Sequence, residues 1–526
     1  MTVPDIVRRR LAPAMPNDRV FAWIGTFVIT GIALVVRLIG LAHPQPPSTQ
    51  DKIFDEIYYA TEGHDLLTHG VEWNTTWNSG DFVVHPPLGK WIIGFGEWIF
   101  KYDTFGWRIM PALFGTAAIF LIIRIARRMF RSTILGLAAG ALMAADGMEF
   151  VLSRTALLDI FLMFFVLAAF GCFVLDRDSR RLRWLRALES GLDPTLPGKA
   201  GRPGGTFWQR VPWWRMLGAV LTGCAMAVKW SAVWYVILFA ILIFAWEAGA
   251  RRSAGVPHWI RDAFLDEVGW VLLAGVLAMV IYTATWTGWF LSTEGYDRNW
   301  YALHHDGHTL PWGINGLYNL YRYHSDALSF HDGLTTPHPY QSWPWQWLLL
   351  GRPVAFYYSS SGPCGAANCS SEVLLLGTPI LWWSFLPAII GATAIGIARR
   401  DWRGITLFGG AFMGIVPWTY WEIKDHRTMF YFYAAPALPF LVMAVVYLFG
   451  MLINTTDRAS AGQTFAVRPA SGYILGIRRR TFGAVLLGAY VLIVIGCFIY
   501  FYPIYVGAKI PYNDWLARMW LGSRWI

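Results

Sequence analysis

The sequence predicts an all-α polytopic membrane protein, and three observations carry that prediction. Hydrophobic residues fill 56% of the 526 positions and charged residues only 14%, where a soluble globular chain carries about a quarter charged. Long apolar runs recur from end to end, each near the roughly 20 residues a helix needs to cross hydrocarbon. These runs lack the alternation of barrel strands, which leaves helices to satisfy the backbone in lipid.

The runs fall at 20–41, 107–128, 133–150, 156–176, 213–229, 231–248, 268–290, 373–397, 404–420, 430–453 and 481–503. About eleven spans place the two termini on opposite sides. Lys and Arg orient them, because cytoplasmic segments collect cations. With a cytoplasmic N-terminus the inner segments gather Arg8, Arg9, Arg10 and Arg19, then Arg124 to Arg131, and a dense group from Arg177 to Arg215. Arg251, Arg252, Arg261, Arg399, Arg400, Arg403 and Arg478-Arg479-Arg480 complete the set. The net charge of +10 therefore reads as topology and contact with anionic membrane lipids. Cations dispersed over many short loops do not form a nucleic-acid-binding face, so no nucleic-acid partner is expected. The run at 20–41 is too long for a cleaved leader and is followed by His43-Pro44-Gln45-Pro46-Pro47, so it reads as a span. A multi-pass protein of the plasma membrane results.

The chain reads as one polytopic unit, 1–526, with three long segments outside the membrane. These are a first outer loop at 42–106, an inner segment at 177–212 and a large outer loop at 291–372. The inner segment is Arg-rich and then Gly- and Pro-rich, which predicts a flexible basic connector at the lipid surface. Eleven of the twelve His residues lie on the outer side, His258 being the exception. Trp343-Pro344-Trp345-Gln346-Trp347 suits an interfacial aromatic belt. A belt needs neither His nor acids, so the chemistry is predicted to face outward.

The first outer loop holds Phe54-Asp55-Glu56-Ile57-Tyr58-Tyr59 and His85-Pro86-Pro87-Leu88-Gly89-Lys90. Neighbouring residues point about 100° apart on a helix and to opposite faces of a strand, so Asp55 and Glu56 address different partners. One carboxylate can meet a reacting hydroxyl while the other positions a second substrate or a nearby cation. The two prolines stiffen the second segment. Leu88 to Lys101 is amphipathic and Trp-bearing, suited to lying at the interface. Near the outer span ends stand Arg108, Arg154, Lys229, Lys424, His426 and Arg427. Converging cations suit a phosphate, and snorkelling is the alternative. For Arg108 and Arg154 the reading is pairing with phosphate or carboxylate.

Cys364 and Cys369 share an outer loop, where an oxidising compartment permits a disulfide. Cys172, Cys224 and Cys497 fall within spans and read as small apolar residues. His304, His305 and His308 have the spacing to be weighed as metal ligands, but Gly307 and Pro311 oppose a stable helix there. No cofactor is called for, and a divalent cation is the alternative.

Together these segments resemble the protein O-mannosyltransferase family of the GT-C superfamily. The likeness continues through Trp107-Arg108-Ile109-Met110-Pro111, Ser153-Arg154-Thr155-Ala156-Leu157-Leu158-Asp159, Lys229-Trp230-Ser231, and His426-Arg427-Thr428 to Phe440. The resemblance implies a GT-C fold with large extracytoplasmic loops. It further implies inverting transfer of mannose from a polyprenyl-phosphate-mannose donor to Ser or Thr of an unfolded secreted polypeptide. On that resemblance Asp55 is the base and Glu56 orients acceptor or sugar. Arg108, Arg154, Lys229 and Arg427 hold the donor phosphate, and Tyr58, His85, Lys90, Asp159 and His426 line the substrate site. Eukaryotic members carry a β-trefoil MIR domain in the large loop, and the roughly 80 residues here are too few for one. The usage resembles actinobacterial members. Two other readings stand beside this one: a GT-C transferase acting on lipid or polysaccharide, and a transporter. The transporter reading lacks internal repeats and mid-span charges. Delivery of unfolded acceptor by the secretion channel is a further expectation.

Overall fold

A computed structural model describes residues 3–311, 313–458, 465–469, 472–474 and 477–526. Helix α1 (Arg19–Leu38) is followed by an outer pair, α2 (Glu56–His69) and α3 (Leu88–Phe100). Then come α4 (Thr104–Phe130), the short α5 (Thr133–Ala144) and α6 (Gly147–Leu152), and α7 (Asp159–Glu189). Next are α8 (Trp213–Met226), α9 (Val233–Ala254), α10 (Trp259–Ala284) and α11 (Ile314–Asp332). Strands β1 (Val354–Ser359) and β2 (Cys369–Leu375) precede α12 (Pro379–Arg399), α13 (Trp402–Ile415), α14 (Trp418–Asp425) and α15 (Leu438–Ile453). Helix α16 (Arg479–Tyr505) and β3 (Lys509–Pro511) follow, ahead of short helical turns at Tyr512–Leu516 and Gly522–Arg524.

Among the described residues eight helices are long and apolar enough to cross a membrane. Seven are α1, α4, α7, α10, α12 and α16 together with α9, which a 3-10 turn extends to Trp230–Ala254; the eighth is α15, extended likewise to Tyr431–Ile453. The other three expected spans, at 133–150, 213–229 and 404–420, are occupied by α5, α8 and α13. These helices have only 12, 14 and 14 residues. Helix α8 stops because the backbone of Lys229 is extended, and α13 stops just before Pro417.

Helix α7 is the axis of the bundle, packing on α4, α8 and α9. Its first half is almost wholly buried, with Phe161, Leu167 and Phe170 against neighbours such as Phe440. The inner connector expected at 177–212 begins differently: Arg177 to Glu189 continue α7. Arg177 and Arg181 are buried there. Arg180 donates to Glu247 at 2.8 Å and also meets Glu267. Arg215 joins Asp176 at 2.9 Å and Glu267 at 2.8 Å, and Arg251 bridges Glu247 and Glu267. The sequence reads this stretch as a flexible connector because, beyond Asp176 and Asp178 on α7 itself, its acidic partners come from α9 and α10, distant in sequence.

On the opposite, His-rich side α2 and α3 cross at two glycines. A Cβ on Gly94 would sit 2.5 Å from the Gly63 carbonyl oxygen, so this crossing requires glycine. Beside it lies a small antiparallel sheet with β2 in the centre and β1 and β3 at its edges. Its β1–β2 register runs from Val354↔Leu375 to Ser359↔Ser371, with a bulge between Ala355 and Tyr357.

Candidate active site

Asp55 opens α2 but caps nothing: its side chain makes no capping hydrogen bond. An Asp at a helix start ordinarily accepts from the first-turn N–H groups, so this carboxylate is left for other work. Its own backbone is helical, φ −71° and ψ −1°, where a capping residue is non-helical, and the residue before it is unusual too. Phe54 adopts φ +47°, a left-handed conformation that is costly for a bulky side chain. Its ring is clamped, stacked on Phe356 with centroids 4.4 Å apart and edge-on to Phe432 at 5.9 Å and Phe430 at 6.4 Å. Burial pushes the Asp55 carboxyl up to about 7, with Lys229 opposing and Asp159 and Glu62 adding to the rise.

Glu56 is its opposite in every respect. It is fully buried, and Arg108 grips it as a fork, Nε to Oε1 and Nη2 to Oε2, both at 2.7 Å. The amides of Ile53 and Ala156 donate to the same two oxygens at 3.0 Å. Arg108 spends Nη1 on the carbonyls of Leu41 and Pro44. The pair thus ties the first loop to α4 and to the segment leading into α7. Of the pairings expected for Arg108, the structure shows the carboxylate. Arg154 differs similarly: its guanidinium donates to the carbonyls of Arg37, in the last turn of α1, and of Ile39 and Gly40 just past it, at 2.6–2.7 Å. Both arginines hold backbone, and neither lines the cleft described next.

That cleft, of about 270 Å³, is lined by His85, Asp159, Lys229, Trp230, Arg427 and Tyr433, among others. Lys229 donates to Asp159 at 2.7 Å and lies over the rings of Phe432 and Tyr433. Arg427 donates from Nε to the His331 carbonyl at 3.2 Å and from Nη2 to its Nδ1 at 3.3 Å. Its buried Nη1 has no protein partner. The N-terminus of α9 also opens on the cleft through Trp230 and Ser231, and a helix N-terminus favours an anion. Two cations, one with a donor to spare, and a helix end thus share the cleft with two acids, Asp159 and Asp332. Trp234, Val233 and Leu328 supply an apolar wall.

His85 is neutral near pH 7, since burial and then the charge of Lys229 drive its pKa well down. His331 is pushed down to about 4 by burial and by Arg427, in keeping with its Nδ1 accepting from Arg427, while the Nε2–H it donates to the Val84 carbonyl at 3.1 Å opposes the shift. The cleft therefore keeps its positive charge on Lys229 and Arg427 alone. Of the remaining sequence candidates, Lys90 is buried between Glu62, at 3.3 Å, and Glu72. Burial opposes its charge, but the two acids hold its pKa above the ordinary value. Tyr58 is exposed on α2. His426 is exposed beside Glu422. His304 and His305 stack on Trp300 and Tyr301, and among the described residues no three His, Cys, Asp or Glu cluster as metal ligands. Cys364 and Cys369 are bonded to each other.

The sequence reading did not single out His331, Asp332, Trp418 or Tyr433, all lining the cleft. His331 and Asp332 end α11, and a Oδ1 of Asp332 is buried without a partner. A signal was present, because His331-Asp332 is another acid beside a His in the outer loops.

Comparison with known proteins agrees with this architecture. The family model for dolichyl-phosphate-mannose-protein mannosyltransferase matches residues 27–192. The model for the C-terminal four-span region of protein-O-mannosyltransferase matches residues 317–525. The polyprenol-phosphate-mannose–protein mannosyltransferase of Mycobacterium tuberculosis is 36% identical over 519 residues, covering 97% of this chain and 93% of that protein. Its counterpart in Corynebacterium glutamicum is 31% identical over 541 residues, covering 98% and 96%. The S. cerevisiae protein O-mannosyltransferase Pmt1-Pmt2 complex bound to the sugar donor superimposes with TM-score 0.70 at 13% identity, covering 99% of this chain and 94% of that one. ArnT from Cupriavidus metallidurans in the apo state gives TM-score 0.50 at 13% identity, covering 92% and 72%. The fold is that of the GT-C glycosyltransferases. With sequence likeness running the length of the chain, it belongs to the protein O-mannosyltransferase family.

Proposed function

We propose that this chain transfers mannose from a polyprenyl-phosphate-mannose donor to Ser or Thr hydroxyls of exported polypeptides, with inversion at the anomeric carbon. The observation that carries the reading is Asp55, an uncapped and half-buried carboxyl poised near 7 that feels the charge of Lys229 in the adjoining cleft. An inverting displacement needs one base opposite the leaving group. The acceptor oxygen forms a bond to the anomeric carbon, its proton passes to Asp55, and the bond from that carbon to the phosphate oxygen breaks. Negative charge released on the polyprenyl phosphate is met by Lys229 and by Nη1 of Arg427, so cations take the place of a general acid. The prenyl chain follows the apolar wall of Trp234, Val233 and Leu328. His85 and Asp159 line the sugar end. Glu56 and Arg108 act as a strut that fixes Asp55, and Arg154 fixes the segment after α1.

The site lies on the His-rich side, read as extracytoplasmic with a cytoplasmic N-terminus in the plasma membrane. The acceptor must be extended to reach it, and we assign the secretion channel as its supplier. The proposal includes no metal step, because the side-chain cations suffice to hold a phosphate. The test is purified protein with polyprenyl-phosphate-mannose and a Thr-containing peptide. A gain of one hexose, unchanged by EDTA, supports the reading. Transfer only to lipid acceptors rejects it, and loss of transfer in EDTA rejects the metal-free step.

A further inference from the structure

A second cleft, of about 540 Å³, lies at the hairpin joining β1 to β2 and shares no residue with the cleft that holds Lys229. Tyr358 and Tyr512 wall it, Ser360 and Asn368 add a hydroxyl and an amide, and small residues of the hairpin fill the rest. Its lining holds no charged side chain and nothing aliphatic larger than proline. Lys509 touches Gly362, where an added Cβ would meet its Nζ, but does not itself line the cleft.

The walls are held in place before anything binds. Both tyrosines lean on Trp515, with ring centroids 5.6 Å and 5.4 Å away. Trp515 is itself buried, and its Nε1 donates to the buried Glu372 of β2 at 2.6 Å. The Tyr358 hydroxyl lies 3.2 Å from Ser370 Oγ, and the Tyr512 amide donates to the Asn368 carbonyl at 3.0 Å. A disulfide between Cys364 and Cys369 closes the hairpin. Yet Tyr358 and Tyr512 stay 47% and 40% exposed. Neither the Ser360 hydroxyl nor the Asn368 side-chain amide has a hydrogen-bond partner among the described residues. Groups fixed beforehand lose less freedom when a ligand arrives.

The chemistry of the lining narrows the ligand. An anion calls for a cation in the wall, a lipid tail for an apolar wall, and a bound peptide for pockets that take its side chains. This cleft offers none of them. What it suits is a neutral ligand that gives hydroxyls to Ser, Asn and Tyr and lays a C–H face on an aromatic ring. We propose that the cleft is a carbohydrate subsite for a neutral hexose, either a mannose already attached to the acceptor or a sugar unit of a separate glycan. The first source rests on the mannosyl-transfer reading above. Holding a mannose already placed keeps that polypeptide on the enzyme and raises its effective concentration at the base, so a modified chain becomes a better acceptor than a fresh one.

The test starts with binding. The full chain in lipid nanodiscs, with polyprenyl phosphate filling the donor cleft, is titrated with methyl mannoside and followed by ligand-observed NMR. A Kd on the order of 1 mM is expected for a single hexose. Tyr512→Ala removes a wall and should raise it about fivefold or more. Asn368→Ala, at an exposed position of the hairpin, should raise it about threefold. Both variants should mannosylate an unmodified Thr peptide at the wild-type rate. To find the source, a peptide with one mannosylated and one free Thr is compared with its twin carrying Ala at the modified position. A kcat/KM about fivefold higher for the mannosylated peptide, lost in both variants, assigns the subsite to the modified acceptor. Equal kcat/KM with methyl mannoside still bound assigns it to a separate glycan. No mannoside binding, or binding that both variants leave unchanged, overturns the subsite. Displacement of the mannoside by a sugar-free peptide makes the cleft a peptide site and overturns it as well. If no peptide gains a hexose, the mannosyl-transfer reading fails, while the sugar titration still decides the subsite.

Discussion

Replacing Asp55 by Asn separates two properties that usually fall together, activity and stability. The carboxyl sits at about 7 rather than 3.8, chiefly because burial disfavours its charge. Between those values the folded chain holds a proton that the unfolded chain has lost. Stability attributable to this group therefore falls as pH rises from about 4 to 7, and the full cost is present above 7. The shift corresponds to at most roughly 4 kcal/mol. Asn removes that cost and keeps the shape, so Asp55→Asn should melt several degrees above wild type at pH 8. The gain should shrink steadily toward pH 4. The same substitution deletes the base, which is worth about 10²–10⁴-fold in transfer. In the wild type, kcat/KM should rise about tenfold from pH 6 to pH 8 as the carboxylate forms. Bound donor adds negative charge, so the kcat profile should lie to the alkaline side of it. Paired melting curves and hexose-transfer rates at several pH values decide the matter. A variant that melts below wild type at pH 8 would show that the ionised carboxylate is a structural partner. A variant that still transfers at near-normal rate would remove Asp55 as the base.

Two further outcomes follow from the neighbouring ion pairs. Glu56→Gln leaves the Arg108 guanidinium buried without its counter-charge, a change that costs about 3–5 kcal/mol. It should depress the melting temperature of the purified protein sharply, and an Arg108→Lys variant should do the same, since one ammonium cannot reproduce the fork. Arg427→Ala should raise the KM for donor at least about tenfold with a smaller change in KM for peptide, because Arg427 lines the cleft and its Nη1 has no protein partner. Equal effects on both substrates in a kinetic titration would argue for a merely structural Arg427.

The long helices were legible because twenty or so apolar residues have one solution in lipid. The chain breaks were less so. The break between the runs 213–229 and 231–248 does fall at Lys229, where the backbone is extended, but the runs do not announce that α8 ends early, at Met226. Asp55 and Glu56 show the same limit at finer scale. Adjacency alone says that the two carboxylates point apart, and one of the two alternatives was a nearby cation. Which residue takes the cation depends on Arg108, 52 positions away, and on a clamp around Phe54 built from residues more than 300 positions on. The helix through Arg177 to Glu189 was hidden for a related reason: a basic run reads as a flexible connector until acids arrive from elsewhere in the fold.

Those acids bear on how the bundle is assembled. Helix α10 leaves most of its surface uncovered by protein, so packing alone holds it weakly, yet it carries Glu267, which is almost fully buried against Arg180, Arg215 and Arg251. An acid on a helix that meets lipid on most sides is tolerable only once its partners are in place. During synthesis α10 emerges after α7, α8 and α9, when all three arginines are already present to receive it. Chain order thus matches docking order, and a lesion in any of those arginines would be exposed late, as a helix that has inserted but cannot settle.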